Sequence, residues 1–142
     1  MKITKYYDFT AEEFFNYLDD ALTRQVQAVR HNKMPVKVAK GMKFTILDHY
    51  GNKTNVEITD YQRNKIFAAH YKDSTHVMDL KYTLEDSPEH LKITLEGDVN
   101  NYDSSKHNGL RNLLHEWRNR SKITTELNRA ADGVYEYLVS KK

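Results

Sequence analysis

Met78-Asp79-Leu80-Lys81-Tyr82-Thr83-Leu84-Glu85-Asp86-Ser87-Pro88-Glu89-His90-Leu91-Lys92-Ile93-Thr94-Leu95-Glu96 is the stretch that decides the fold. Met78, Leu80, Tyr82 and Leu84 alternate with Asp79, Lys81, Thr83 and Glu85, the two-residue period of a half-buried strand. Asp86-Ser87-Pro88 carries turn chemistry. Leu91, Ile93 and Leu95 then alternate with Lys92, Thr94 and Glu96. Two strands joined this closely must pair antiparallel, because parallel pairing needs a crossover of roughly a dozen residues or more. One apolar and one charged face per strand means that the sheet packs on one side only.

The same pattern extends towards the N-terminus. Ile66-Phe67-Ala68-Ala69 reads as a strand after a turn at Arg63-Asn64, and Asp73-Ser74 leads into the strand at Met78. Val56 and Ile58 alternate against Glu57 and Thr59, and Gly51-Asn52 supplies the turn from Met42, Phe44 and Ile46. A short opening strand is expected over residues 2–9, where Ile3, Lys5, Tyr7 and Phe9 share one side. Thr10 stands three residues before Glu13, the spacing of a capping box that starts a helix. Phe14, Leu18, Ala21, Leu22, Gln25 and Val29 keep the i, i+3, i+4 rhythm of one helix face, flanked by Phe15 and Val26. Pro35 disfavours helix at Met34, so the helix should end near His31-Asn32. At the other end, Leu110, Leu113, Leu114, Trp117, Thr124, Leu127, Ala131, Val134 and Leu138 hold a helical period over roughly 42 Å. That stripe thins at Arg118–Ser121, where a kink or projecting end would fit. The fold expected is α+β: a curved six-stranded antiparallel sheet gripping a long C-terminal helix, with a helical insertion after the first strand.

This order resembles the START-like helix-grip superfamily. The opening Met1-Lys2-Ile3-Thr4, the run Thr10-Ala11-Glu12-Glu13-Phe14-Phe15-Asn16-Tyr17-Leu18, the Gly41-Met42-Lys43-Phe44 strand and the ending Tyr135-Glu136-Tyr137-Leu138 look like an uncharacterised family of small bacterial proteins within it. The resemblance covers nearly the whole chain and implies a single domain over residues 1–142. It implies a pocket and transfers no catalytic residue, since the superfamily spans lipid and hormone binders, polyketide cyclases and chaperone cofactors. Many members have seven strands where six are counted here, which implies a smaller, better-filled cavity.

Composition narrows the classes of function. The chain has 142 residues, 39% hydrophobic and 30% charged, with five Gly and two Pro, leaving no linker or low-complexity tract. Cysteine is absent, which excludes disulfides, thiol chemistry and cysteine-based zinc sites. The N-terminus lacks the apolar core of a signal peptide. No apolar run approaches the roughly 18 residues of a membrane span. A cytoplasmic protein is therefore expected. The net charge of +2 is too small to argue for nucleic acid. Residues 104–142 carry eight Lys and Arg against four Asp and Glu, centred on Arg118, Arg120 and Lys122. A solvated helix face explains this more simply than a polyanion site.

No residue cluster names a reaction. Gly-x-Gly-x-x-Gly, Walker, Gly-x-Ser-x-Gly and His-Glu-x-x-His motifs are all absent. His31, His49, His70, His76, His90, His107 and His115 are scattered, and the last two, roughly 12 Å apart along a helix, cannot share one ion. No cofactor is implied. His70 follows Ile66 and Ala68 on one face, but Phe67, Ala69 and Tyr71 are equally apolar, so which face is inward stays undecided. An inward His70 could bind a ligand or move a proton. Asp48 and Asp60 extend the inward series Phe44, Ile46 and Val56, Ile58, and would form an acid/base pair if that parity held to the turns. The expectation is a non-catalytic module for a small apolar or amphipathic ligand, walled by Phe44, Ile46, Ile58, His70, Met78, Leu80, Tyr82, Ile93, Leu95, Leu113 and Trp117. Two other readings stand beside it: an interaction module with a filled core, acting through the basic helix or tyrosine-rich rim, and a cyclase or hydrolase using His70. The ten tyrosines fit a sheet rim or a homodimer surface.

Overall fold

A computed structural model describes residues 2–47, 53–73, 77–99 and 109–141, with the side chains of Leu47, Asp98, Val99 and residues 109–122 outside that description. Strand β1 (Lys2–Tyr7) leads into helix α1 (Ala11–Arg30), followed by β2 (Lys43–Leu47), β3 (Lys53–Gln62), β4 (Ile66–Lys72), β5 (Val77–Asp86), β6 (Leu91–Val99) and helix α2 (Gly109–Ser140). The six strands form one antiparallel sheet in the order β1-β6-β5-β4-β3-β2. The expected α+β architecture is what the chain adopts. Strands β2 to β6 form an uninterrupted meander. β1 closes the far edge by pairing with β6, where Ile3 stands opposite Leu95 and Tyr7 opposite Leu91.

Local chemistry sets the element ends. The Thr10 hydroxyl accepts from the Glu13 amide at 3.1 Å, and the Glu13 carboxylate accepts from the Thr10 amide at 2.9 Å. This capping box satisfies two of the free amides of the first turn. The Ala11 amide donates to Asp86 at 3.1 Å, fixing the start of α1 to the end of β5. His31 ends α1 in the left-handed conformation at φ 57°. Asn64 turns β3 into β4 at φ 66°, a region that asparagine tolerates better than most residues. Helix α2 is continuous through residues 118–121, where the stripe thins.

The core lies between the concave face of the sheet and the two helices. Phe14, Phe15 and Leu22 of α1 and Ile123, Leu127, Ala131 and Val134 of α2 meet Val56, Ile58, Phe67, Leu80, Tyr82, Ile93 and Leu95 of the sheet. The buried stripe of α2 runs through Ile123 and not through its neighbour Thr124, which is half-buried. Gly97 of β6 lies directly beneath Ile123 of α2. A Cβ there would collide with Ile123 Cδ1 and fall 2.9 Å from Leu80 Cδ2. On the other flank, a Cβ at Gly133 would fall 2.8 Å from Tyr17 Cε1, so the two helices touch through that glycine.

One feature of β3 corrects the expected parity. Ile58 pairs with Ala69, but Asp60 pairs with Ala68, so two residues of β3 advance against one of β4. This bulge at Thr59 shifts the side-chain alternation by one residue. Tyr61 turns inward against Phe15, and Asp60 turns to the outer face, near Gln62. Asp60 therefore does not enter the inward series, and Asp48 lies outside the described residues.

Candidate functional site

Between α1, strands β2 to β5 and α2 the packing leaves a cavity of about 470 Å³. The face of α1 that reads as amphipathic supplies Phe14, Tyr17, Leu18, Ala21, Leu22 and Gln25. Phe44 and Ile46 of β2, Phe67 and Tyr71 of β4, and Met78, Leu80 and Tyr82 of β5 form the sheet wall. Thr54, Asp73 and the α2 residues Glu126, Arg129 and Ala130 complete it, with Arg129 donating to Glu126 at 3.1 Å. Among the described residues both helices line the wall, so the cavity lies between the sheet and both helices.

Five of the eleven residues expected in the wall border this cavity: Phe44, Ile46, Met78, Leu80 and Tyr82. Ile58, Ile93 and Leu95 are fully buried in the core beside it. The side chains of Leu113 and Trp117 lie outside the described residues. His70 is on the other face of the sheet, opposite Glu57 and Asp79 in the strand register, with Nδ1 2.6 Å from Asp79 Oδ1. Phe67, Ala69 and Tyr71 take the inward side of β4 instead. Three apolar residues in succession hid this choice, which the partner strands make. The missed wall residue with most chemistry is Tyr71, and its signal was the alternation Phe67, Ala69, Tyr71.

Among the described residues neither Tyr71 nor Tyr82 has a side-chain hydrogen-bond partner, and both border the cavity. Tyr82 is 7% exposed and packs between Phe14 and Phe67. Burial, followed by the proximity of Tyr71 and Glu126, pushes its phenol far above the ordinary range. Burial, and then the Glu126 carboxylate, pushes Tyr71 up to about 12. Both phenols therefore stay protonated at physiological pH and can donate. A bare phenol O–H facing an apolar chamber is a polar handle whose partner must come from inside that chamber.

Elsewhere the polar groups do structural work. Asp19 accepts from Tyr61 and from Arg63, each at 2.7 Å, while Arg63 also donates to Asn16. This cluster ties α1 to the β3–β4 turn. Among the tyrosines assigned to a rim, Tyr6 and Tyr135 are exposed, Tyr61 and Tyr71 point inward, and Tyr50 and Tyr102 lie outside the described residues. Among the described residues, no three His, Asp or Glu side chains converge as metal ligands, and no helix is long and apolar enough to cross a membrane. The side chains of Arg118, Arg120 and Lys122 lie outside the described residues.

These features define an α+β protein with an apolar cavity between a curved antiparallel sheet and its helices. Residues 1–116 match the family model described as Domain of unknown function (DUF3284), and the chain belongs to that family. No protein of curated function matches it. Among solved structures, protein MLL2253 from Mesorhizobium loti aligns with 100% of this chain and 99% of its own at 14% identity and a TM-score of 0.60. DynU16, from the dynemicin biosynthetic locus, aligns with 100% of this chain at 12% identity and a TM-score of 0.58. This chain spans about half of DynU16, 48% of its length. CalU16 from Micromonospora echinospora covers 96% of this chain and 72% of its own, at 13% identity and a TM-score of 0.56. Such identities show a shared fold and nothing finer.

Proposed function

We propose that this chain is a single START-like helix-grip domain acting in the cytoplasm as a non-catalytic binding module for a small apolar or amphipathic molecule. The observation that carries the reading is the cavity of about 470 Å³ walled by aromatic and aliphatic side chains, with two phenols that have no side-chain partner among the described residues. Its volume falls within the roughly 300–1,000 Å³ of small-molecule sites, and a few polar groups in an apolar wall are their usual composition. DynU16, similar in fold, belongs to the dynemicin biosynthetic locus, which accords with this reading.

The test is native mass spectrometry of the protein purified from an expression host, followed by Nile red titration of the stripped protein. A retained mass, or saturable Nile red fluorescence, is expected. Ala21→Trp places an indole in the cavity and should abolish the signal while circular dichroism stays native. Equal binding by wild type and Ala21→Trp would place the ligand elsewhere and overturn the reading.

A further inference from the structure

The two phenols and the charges around them restrict the ligand further, on the reading that the cavity binds a small molecule. We propose that the cavity selects an uncharged apolar molecule bearing a hydrogen-bond acceptor oxygen, a ketone or ester, which accepts from Tyr71 or Tyr82, and that it discriminates against carboxylate-headed lipids.

Four observations support this. First, Tyr71 and Tyr82 border the cavity and have no side-chain partner among the described residues, so a ligand that offers no acceptor leaves a desolvated donor unpaired. Second, among the described residues the charged side chains bordering the cavity are Asp73, Glu126 and Arg129, so Arg129 is the one described base there. Third, that base is engaged by Glu126 at 3.1 Å and its side chain is 71% exposed, so it belongs to the mouth and not the depth. Fourth, Glu126 lies within electrostatic reach of both phenols and is less exposed than its partner Arg129, so a carboxylate seated on the phenols would lie nearer the acid of that pair. Burying an anion without a cation is expensive, whereas a neutral carbonyl loses little beyond the water that the phenol replaces. A carboxylate held at the mouth by Arg129 is the competing arrangement.

The experiment is Nile red displacement at near-neutral pH by 2-dodecanone, methyl dodecanoate, dodecylamine and dodecanoate, on wild type, Tyr71→Phe, Tyr82→Phe and the double variant. The ketone and ester are expected to bind at least about 10-fold tighter than dodecanoate, the scale of one neutral hydrogen bond or more. The double variant should lose about that factor for the ketone and weaken for Nile red, itself a ketone, while affinity for the hydrocarbon probe diphenylhexatriene does not fall and the melting temperature stays near wild type. Dodecanoate binding as tightly as the ketone, dodecylamine binding tightest, or a ketone affinity unmoved in the double variant would overturn the selectivity while leaving the binding module intact. Failure of Nile red and all four competitors to bind would overturn the binding module and the selectivity with it.

Discussion

Replacing Gly97 by alanine tests the packing of α2 on β6. The added methyl has nowhere to go: it would collide with Ile123 Cδ1, lie 3.1 Å from Ile123 Cγ1 and 2.9 Å from Leu80 Cδ2. Ile123 is 0% and Leu80 5% exposed, so neither can swing into solvent. Overpacking of this kind costs about 1–3 kcal/mol. Alanine recovers roughly 0.5–1 kcal/mol because it restricts the unfolded chain more than glycine does. The net loss expected is about 1–2 kcal/mol, read as a lower urea midpoint at unchanged slope. Ile123→Val removes the Cδ1 that makes the clash and alone should cost about 0.5–1.5 kcal/mol. In the double variant the two losses should not add. Relief of the collision should return about 1 kcal/mol of coupling, above the roughly 0.5 kcal/mol scatter of independent sites. Additive losses would mean that α2 does not pack on β6 at this residue, and the helix placement would be wrong.

Tyr7 carries the one buried side-chain nitrogen or oxygen among the described residues that has no hydrogen-bond partner. Tyr7→Phe removes that unpaired group and should leave stability unchanged or raise it by about 1 kcal/mol in urea denaturation; a clear loss would reveal a partner. The inward phenols also predict an alkaline limit. Tyr71 is raised from the unfolded value of 10.0 to about 12, chiefly by burial, and Tyr82 is raised further. The stability associated with keeping Tyr71 protonated is complete below pH 10.0 and is lost as pH rises towards about 12, because the unfolded chain releases a proton that the native state retains. The slope should approach at most about 1.4 kcal/mol per pH unit per buried phenol. Phenolate absorbance followed with circular dichroism checks this: these two tyrosines should ionise only as the fold is lost, and full ionisation of a native spectrum would contradict their burial.

Most of this architecture was legible because it rests on local rules. The Thr10–Glu13 box, the alternation of Met78 to Leu84 and the antiparallel meander each follow from a short window of sequence. What escaped depends on partners. Ile66-Phe67-Ala68-Ala69 presents an apolar residue to both faces, so its orientation is set by pairing, with Ala69 opposite Ile58 and Leu80. Asp60 was misread because one inserted residue reverses the alternation, and no residue type at Thr59 announces a bulge. His70 follows the same logic: once Phe67 and Tyr71 face inward, it must face Asp79. Periodicity also says which face is buried but not how completely opposing faces fill the space between them. The cavity, and the share of α1 in its wall, are three-dimensional facts of that second kind.

The space arises from the way the two helices are seated. Gly97 lets α2 descend onto β6, and Gly133 lets it press against Tyr17 of α1. These contacts hold α2 over the β1–β6 side, while α1 lies over the opposite side, near β2. The gap between them opens above β4 and β5. Its helical wall includes the short side chains Ala21 and Ala130, and its floor the large side chains Phe67, Tyr71, Leu80 and Tyr82. Leucine at either alanine would narrow the void at little cost in helix propensity, since leucine ranks close to alanine. Two small residues, one on each helix, border the same cavity as the two phenols, so side-chain choice contributes to the open space. The glycines that seat α2 and the alanines that hollow the space beside it separate stability from binding. Gly97→Ala should therefore weaken the fold without altering ligand preference, and Ala21→Trp should abolish binding in a folded protein.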